Sequence, residues 1–435
     1  MFGKDGRVSV TTASLLLLVA INLFNYIDRQ VLAAVEPEIR RELDEGRRTA
    51  GLPALSEAES RSSMGLLSTA FLVTYMLLAP VFGWLADRYS RWKLVGIGVI
   101  LWSLASGASG WNWQMGPVAA YWALFATRCF VGVGEGGYGP VAPAMLSDLY
   151  PVAQRGRIMS FFYLAIPVGG ALGYAFGEIV MQRYGWRWAF FLVVPPGLLL
   201  GALCFFMPDP PRGQMEDVQE GTRRGIHKYL GLFEIPSYVL NTLGMTAMTF
   251  SIGALAFWMP DFLERQGVEG FGGIGPRTIF GAITAFAGLL ATLSGGIIGD
   301  RLRPWHSGAY FLVSGGAMFL GFPMILGFLY TTFPYAWIYV FGAVFCLFFN
   351  TGPTNTILAN VTHPAVRASG FALNILIIHL FGDAISPPLI GYLMGSYGDE
   401  VGFFVIAFVV LMGGLFWVWG SAYLERDTRL AGTRG

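Results

Sequence analysis

Four ionisable residues stand inside long apolar runs: Asp28 and Arg29 in one, Arg128 and Glu135 in another. An ionisable side chain in hydrocarbon costs at least a few kcal/mol, so it faces a protein interior, takes a partner and marks an ion or substrate path. Asp28 and Arg29 are adjacent, and adjacent helical residues point about 100° apart, so at least one needs a partner from another helix. Arg128 and Glu135, seven positions apart, fall two turns apart on one face at roughly 10 Å. That is too far for a direct bridge, but either can engage Asp28 or Arg29 if their helices pack together. Burial pushes a carboxyl toward its neutral form and a nearby guanidinium pulls it back. The predicted chemistry is proton exchange by Asp28 and Glu135 while Arg29 and Arg128 change partners. The alternative is a static buried ion pair that only fixes helix packing.

A second pair, His379 and Asp383, lies at i and i+4 with Ser386 continuing the face. Such residues touch on a helix, and histidine titrates near neutral pH. A histidine satisfied by a neighbouring helix or water is the competing reading. Asn22, Asn25, Asn350, Thr354 and Asn355 either line a cavity or, as the preferred reading, hydrogen-bond helices together. Tyr26, Tyr138, Phe250 and Trp258 are candidates for an apolar slot. Gly132, Gly134, Gly136, Gly137 and Gly139, with Gly169, Gly170 and Gly173 after Pro167, allow close helix approach or a rocking hinge. They are too dispersed to cradle a phosphate.

These residues require membrane helices to position them. Apolar residues make up 54% of the 435 and charged residues 13%. A spanning helix needs about 20 mostly apolar residues, because hydrocarbon satisfies no exposed backbone group. Twelve stretches qualify: 10–35, 64–85, 94–113, 117–146, 158–180, 188–207, 237–260, 278–299, 307–330, 334–358, 369–394 and 400–423. The first continues past signal-peptide length and carries Asp28 and Arg29, so it reads as a span. With both termini inside, 17 basic residues fall on the cytoplasmic side and 9 on the other, which favours that orientation. The near-zero net charge and the lack of a free basic block give no sign of nucleic acid. Cys129, Cys204 and Cys346 all lie in spans, so no structural disulfide is expected. There is no metal-ligand cluster, nucleotide loop or nucleophile elbow, and neither metal nor cofactor is expected. The acceptor Asn360 with Thr362 falls in a loop assigned to the inside; with the short tails, this fits a bacterial inner membrane.

Gly83, Asp87 and Arg88 recur 213 positions later as Gly296, Asp300 and Arg301, and Pro151 and Arg155 are echoed by Pro364 and Arg367 at offsets of 213 and 212. The chain is a duplication. Its halves are 1–207 and 237–435, in one orientation because each holds an even number of spans, joined by a polar linker over 208–236. Two half-size repeats meeting in a membrane are the usual construction of an alternating-access carrier. The outer segment 36–61 reads as a polar loop whose mixed charges form a solvated face. Asp87 and Asp300 end their spans beside Arg88 and Arg301, where they can cap a neighbouring helix and pair across the inner face.

The run Gly83-Trp84-Leu85-Ala86-Asp87-Arg88-Tyr89-Ser90-Arg91-Trp92-Lys93, with the six-plus-six repeat, resembles the major facilitator superfamily over the whole chain. Ser90 stands where the family pattern has glycine and Trp92 where it has a basic residue. Within it, the strings Asn25-Tyr26-Ile27-Asp28-Arg29, Arg128-Cys129-Phe130-Val131-Gly132-Val133-Gly134-Glu135-Gly136, Phe162-Tyr163-Leu164-Ala165-Ile166-Pro167-Val168-Gly169 and His379-Leu380-Phe381-Gly382-Asp383 look like the spinster subfamily of lysolipid and sphingolipid transporters. The resemblance implies two parallel-related six-helix bundles, an amphipathic single-chain solute, export, and an inner-face lock using Asp87, Arg91 and Asp148.

The expectation is therefore an all-α polytopic secondary transporter, a proton-coupled monomer in the bilayer. Arg29 or Arg128 attracts an anionic head, and Asp28 and Glu135 carry protons. The rivals are a carrier of small organic anions or drugs, an intramembrane acyl- or phosphotransferase using His379 and Asp383, and a non-transporting lipid receptor. The enzyme reading is weakened by a spacing one residue short of the familiar His-x4-Asp acyltransferase pattern, and by a duplication without catalytic purpose.

Overall fold

The computed structural model describes residues 10–111, 115–216, 227–270 and 275–431. Among these there is no strand, and twelve helical stretches are long and apolar enough to cross a membrane. Spans one to six are Val10–Thr49, Ser63–Ala86, Arg91–Ser109, Pro117–Leu149, Val152–Tyr184 and Trp186–Cys204. Spans seven to twelve are Pro236–Leu263, Thr278–Leu302, Ala309–Tyr330, Ala336–Val361, Pro364–Tyr397 and Asp399–Gly420. The linker is described up to Glu216 and again from His227; Asp217, Glu220, Arg223 and Arg224 lie outside the described residues.

The expected polar loop over 36–61 is corrected. Span one runs as one helix to Thr49, and the next helix begins at Glu57. The charges of this stretch recur at helical spacing, with Arg40 3.1 Å from Glu36 and Arg41 bonded to Glu38. Glu42 accepts hydrogen bonds from the Trp186 indole at 2.8 Å and from Arg187 at 2.9 Å, tying the extension to span six. Apolar Val35 and Ile39 stay buried on its other side. Mixed charges that looked like a solvated loop are the outer face of an amphipathic helix.

Several spans expected to be continuous are broken. Span four divides into Pro117–Gly136 and Val141–Leu149, span five into Arg155–Tyr163 and Ala165–Tyr184, and span ten into Ala336–Phe348 and Thr351–Val361. A proline removes one N–H and clashes with the carbonyl four residues earlier. Pro140, Pro167 and Pro353 stand at that distance from Gly136, Tyr163 and Phe349, where these helices interrupt. Pro37, Pro80, Pro260 and Pro323 are absorbed within helices that continue.

The chain forms two compact units, Met1–Ala142 with Val168–Asp209, and Pro143–Pro167 with Pro210–Gly435. In the first unit a core of Val31, Leu32, Val35, Leu67, Trp186 and Phe190 joins spans one, two and six. The glycines there serve close packing. A Cβ on Gly98 would lie 2.6 Å from the Gly134 carbonyl, and one on Gly173 2.5 Å from the Ile27 carbonyl. The second unit includes the start of span five because Gly156 packs on Gly296 and Ser160 on Gly352, small surfaces that let backbones meet.

Candidate functional site

In the first unit the four charges are drawn to separate partners. Glu135 is buried, and Arg29 of span one donates from Nε to its Oε2 at 2.6 Å. The guanidinium also lies 5.0 Å from the Tyr26 ring, 4.8 Å from Phe71 and 5.2 Å from Tyr75, so aromatic faces hold the cation on sides that the carboxylate does not. Asp28, the next residue on span one, turns to span three and accepts a hydrogen bond from the Ser106 hydroxyl. Its second oxygen, Oδ2, is buried with no hydrogen-bond partner among the described residues, and Asp28 forms no direct ion pair.

Arg128 also faces span three. Its Nη2 donates to Ser109 Oγ at 2.6 Å, its guanidinium lies 5.3 Å from the Phe190 ring, and Nε has no hydrogen-bond partner among the described residues. Ser109 is in turn 2.8 Å from the Thr127 hydroxyl. The expected engagement across spans one and four is thus made by Arg29 and Glu135. Arg128 and Asp28 are related through serines one turn apart rather than by contact. Ser106, Ser109, Phe71 and Tyr75 were not anticipated. The signal for the serines was a stripe of Ser103, Ser106 and Ser109 at every third position of an apolar helix; Phe71 and Tyr75 gave none.

Of the neighbouring candidates, Asn25 is buried beside Arg29, and Tyr26 forms one wall of its cage. Tyr138 is buried, donates its hydroxyl to the Leu18 carbonyl at 2.7 Å, and packs edge-on against Trp102. The Trp258 indole bonds the Pro387 carbonyl at 2.8 Å, and Phe250 is buried. Of the amides of span ten, Asn355 joins two helices, accepting from the Tyr163 hydroxyl of span five at 2.9 Å, whereas Asn350 donates to the Cys346 carbonyl of its own span at 2.8 Å.

His379 Nδ1 lies 3.0 Å from both carboxylate oxygens of Asp383, as the spacing predicts, with both side chains half-buried. The straight helix expected around them is corrected. His379–Asp383 is a π-helical turn that separates Arg367–Ile378 from Ser386–Tyr397, the second of which carries Pro387 and Pro388 in its first turn. Ser386 is buried, and its hydroxyl has no hydrogen-bond partner.

The signature loops build helix caps. In the first unit Ser90, in the glycine position of the pattern, accepts from the Lys93 amide at 3.4 Å, and Asp209 accepts from the Trp92 amide at 2.9 Å, so span three starts on two side-chain oxygens. Asp209 gave no sequence signal. Gly83 and Arg91 are buried, and Asp87 caps the end of span two. Arg88 is exposed, donating to the Trp84 carbonyl at 3.0 Å with its guanidinium 4.2 Å from that ring. In the second unit Asp300 caps a neighbouring helix as expected, accepting from the Arg157 amide at 2.9 Å and from the Tyr310 hydroxyl at 2.7 Å. Arg301 is exposed and forms no ion pair among the described residues.

The pairing at this end belongs to other residues of the second unit. Asp148 is 2.7 Å from Arg367, both fully buried. Glu216 of the linker binds Arg367 at 2.7 and 2.9 Å through its two oxygens and also binds Arg155. Arg155 completes its shell with Asn360 at 2.9 Å and the Ser147 carbonyl. Arg155 and Arg367 were visible only as markers of the duplication.

Comparison with known proteins agrees with this geometry. The Major Facilitator Superfamily profile matches residues 18–382. Spinster homolog 1 of Xenopus laevis is 35% identical over 448 residues, covering 96% of this chain and 81% of that protein. The human spinster homolog 1 is 34% identical over 98% of this chain and 83% of its own length. Among solved structures, a proton:xylose symporter bound to 6-bromo-6-deoxy-D-glucose matches with a TM-score of 0.76 at 17% identity, covering 96% and 98% of the two chains. A bacterial homolog of the human lysosomal transporter Spinster, inward-facing and occupied, matches with a TM-score of 0.59 at 20% identity over 97% and 99%. At such identities the structures speak for the fold, while the family and its relatives remove the enzyme built on His379 and Asp383. The chain is a multi-pass membrane transporter of the major facilitator superfamily and belongs to its spinster-like group.

Proposed function

We propose that this transporter is proton-coupled and moves an amphipathic anionic solute with one acyl-like chain, such as a lysophospholipid or sphingoid phosphate. The halves 1–207 and 237–435 rock about the substrate with 208–236 as their linker. The protein works as a monomer in a bacterial inner membrane with both termini in the cytoplasm, and export is the direction of transport.

The observation that carries proton coupling is the unequal treatment of two buried carboxyls in one bundle. Each leaves one oxygen without a hydrogen-bond partner among the described residues, but Glu135 has a guanidinium in contact, whereas Asp28 has only a hydroxyl. Holding charge on Asp28 therefore costs more than on Glu135, and gain of a proton there removes that cost. Arg128, with an unfilled donor at Nε, supplies positive charge for an anionic head once the helices separate. Arg29 is the switching element, since any movement between spans one and four exchanges its carboxylate for water or substrate. His379 and Asp383, half-buried in the π turn, form a second polar contact for the solute.

Reconstitution in liposomes tests this reading. An imposed pH gradient drives flux of a labelled lysophospholipid through the unmodified protein. Asp28→Asn and Glu135→Gln abolish gradient-driven flux while ligand binding persists. Unchanged pH dependence in both variants would refute the assignment and leave a static ion pair; flux of small organic anions without lysolipid flux would refute the substrate class.

A further inference from the structure

The ion pairs around Glu216 are built from parts that neither repeat can complete alone. Arg155 and Arg367, equivalent positions of the duplication, each begin a helix directly after a one-turn 3-10 segment, Val152–Gln154 and Pro364–Val366. The N-terminus of a helix carries partial positive charge, so a guanidinium there is on the electrostatically unfavourable end. Both side chains are almost fully buried, at 1% and 0% exposure, so water does not offset this. Each needs a carboxylate. Asp148, from the first repeat, reaches Arg367 of the second. Among the described residues, Arg155 receives only Asn360 and backbone carbonyls from the two repeats, and its one contacting carboxylate is Glu216.

Glu216 is not brought there by an extended linker. Gly213 sits at φ +70°, a left-handed conformation that favours glycine, and the Glu216 amide bonds back to its carbonyl at 2.9 Å. This turn is anchored at a second point, where the buried Gly213 amide donates to Asp148 at 2.9 Å. Amide and carboxylate of one linker turn thus dock on the same acid–arginine group.

We infer that Glu216 is the bolt of a latch that holds this end of the second unit closed by neutralising both repeat-related arginines at once, so that the linker takes part in gating. The inference rests on the rocking of the halves proposed above. When Arg155 and Arg367 separate, the carboxylate can stay with only one of them, and the other guanidinium must find water. Removing one partner from a buried charge group leaves an uncompensated charge, so the closed arrangement loses far more than an exposed pair would.

Spin labels at Ala153 and Arg429, which line one cavity at this end and come from the first and second repeat, report the state of the latch in a variant lacking the native cysteines. In liposomes, Glu216→Gln raises the ratio of the long-distance to the short-distance population about tenfold or more. Glu216→Asp, which keeps the charge but shortens the reach, raises it less, and stands as the test if the glutamine variant does not fold. The comparison is made at one pH with no imposed gradient, so failure of the proton assignment does not disturb this result. Identical distributions in unmodified, Glu216→Gln and Glu216→Asp protein would overturn the latch. A pair that never separates under any gradient would instead refute the rocking of the halves.

Discussion

Spans one and four meet through charge, and their repeat counterparts, spans seven and ten, meet through amides. In the first, Arg29 bonds Glu135 at 2.6 Å; in the second, Asn241 donates to the Thr354 carbonyl at 2.9 Å, with Asn374 bonding Thr242 at 3.0 Å nearby. Both contacts are helix to helix and at least partly buried, yet only one can change charge. The contact between spans one and four therefore holds groups that can gain or lose a proton, whereas the amide contact between spans seven and ten does not. A titratable pair is worth its desolvation cost only where its state is used.

The largest effect that sharpens this contrast is Arg29→Ala. It strands Glu135 as an unpaired buried carboxylate and removes a cation from three aromatic faces, so unfolding in detergent should show a loss of about 3–5 kcal/mol. Adding Glu135→Ala to it should recover part of that loss, since the stranded charge is gone. A double variant as unstable as the sum of the singles would mean that the two side chains are not coupled, and the contrast with the second bundle would fail.

A smaller effect is expected from Asn241→Val, near in volume and without the donor to span ten. Asn241 is fully buried and its own Oδ1 already lacks a partner, so the net loss is that of one neutral hydrogen bond, about 1–2 kcal/mol. The pH dependence of flux should be that of the unmodified protein. A shift in the pH profile would show that the amide contact takes part in proton handling, and the contrast between the two contacts would have to be abandoned.

What could be read from sequence follows the same physics. Asp28, Arg128 and Glu135 stood out because an ionisable side chain in an apolar run has few explanations, and the repeat of Gly83, Asp87 and Arg88 fixed the architecture by its period. The direct partner of Glu135 also followed, since Arg29 was the cation available on span one. Glu216 was invisible: a glutamate in a polar linker has many explanations, and only the fold shows that both duplicated arginines converge on it. Asp209, one more acid after a proline, was hidden for the same reason. The helix through Thr49 was missed because its charges were weighed as composition and not by their helical spacing. The breaks in spans four, five and ten lay at prolines already in view, but Pro37 and Pro323 show that a proline alone does not decide.

The smallest effect compares two glutamates of the first unit, one buried and one in water. Glu59 closes the capping box of its helix, accepting from the Ser56 amide at 2.8 Å while its own amide donates to the Ser56 hydroxyl at 3.3 Å. The Ser56 amide, and after it the Ser56 hydroxyl, hold the Glu59 carboxyl below the ordinary carboxylate range. A group held down in this way stabilises its helix at pH above the ordinary range, and that support is lost as pH falls through the lowered value. Hydrogen exchange in the first turn after Ser56 should therefore quicken on acidification. Glu59→Gln, whose side-chain carbonyl still accepts from Ser56, should remove that pH dependence and leave gradient-driven flux untouched. Glu135→Gln, the same exchange of one oxygen for an amide, should abolish flux because its carboxylate answers a buried guanidinium instead of solvent. If the two variants impaired flux alike, burial would not be what separates a structural carboxylate from a transporting one, and the charged contact of spans one and four would lose its distinction.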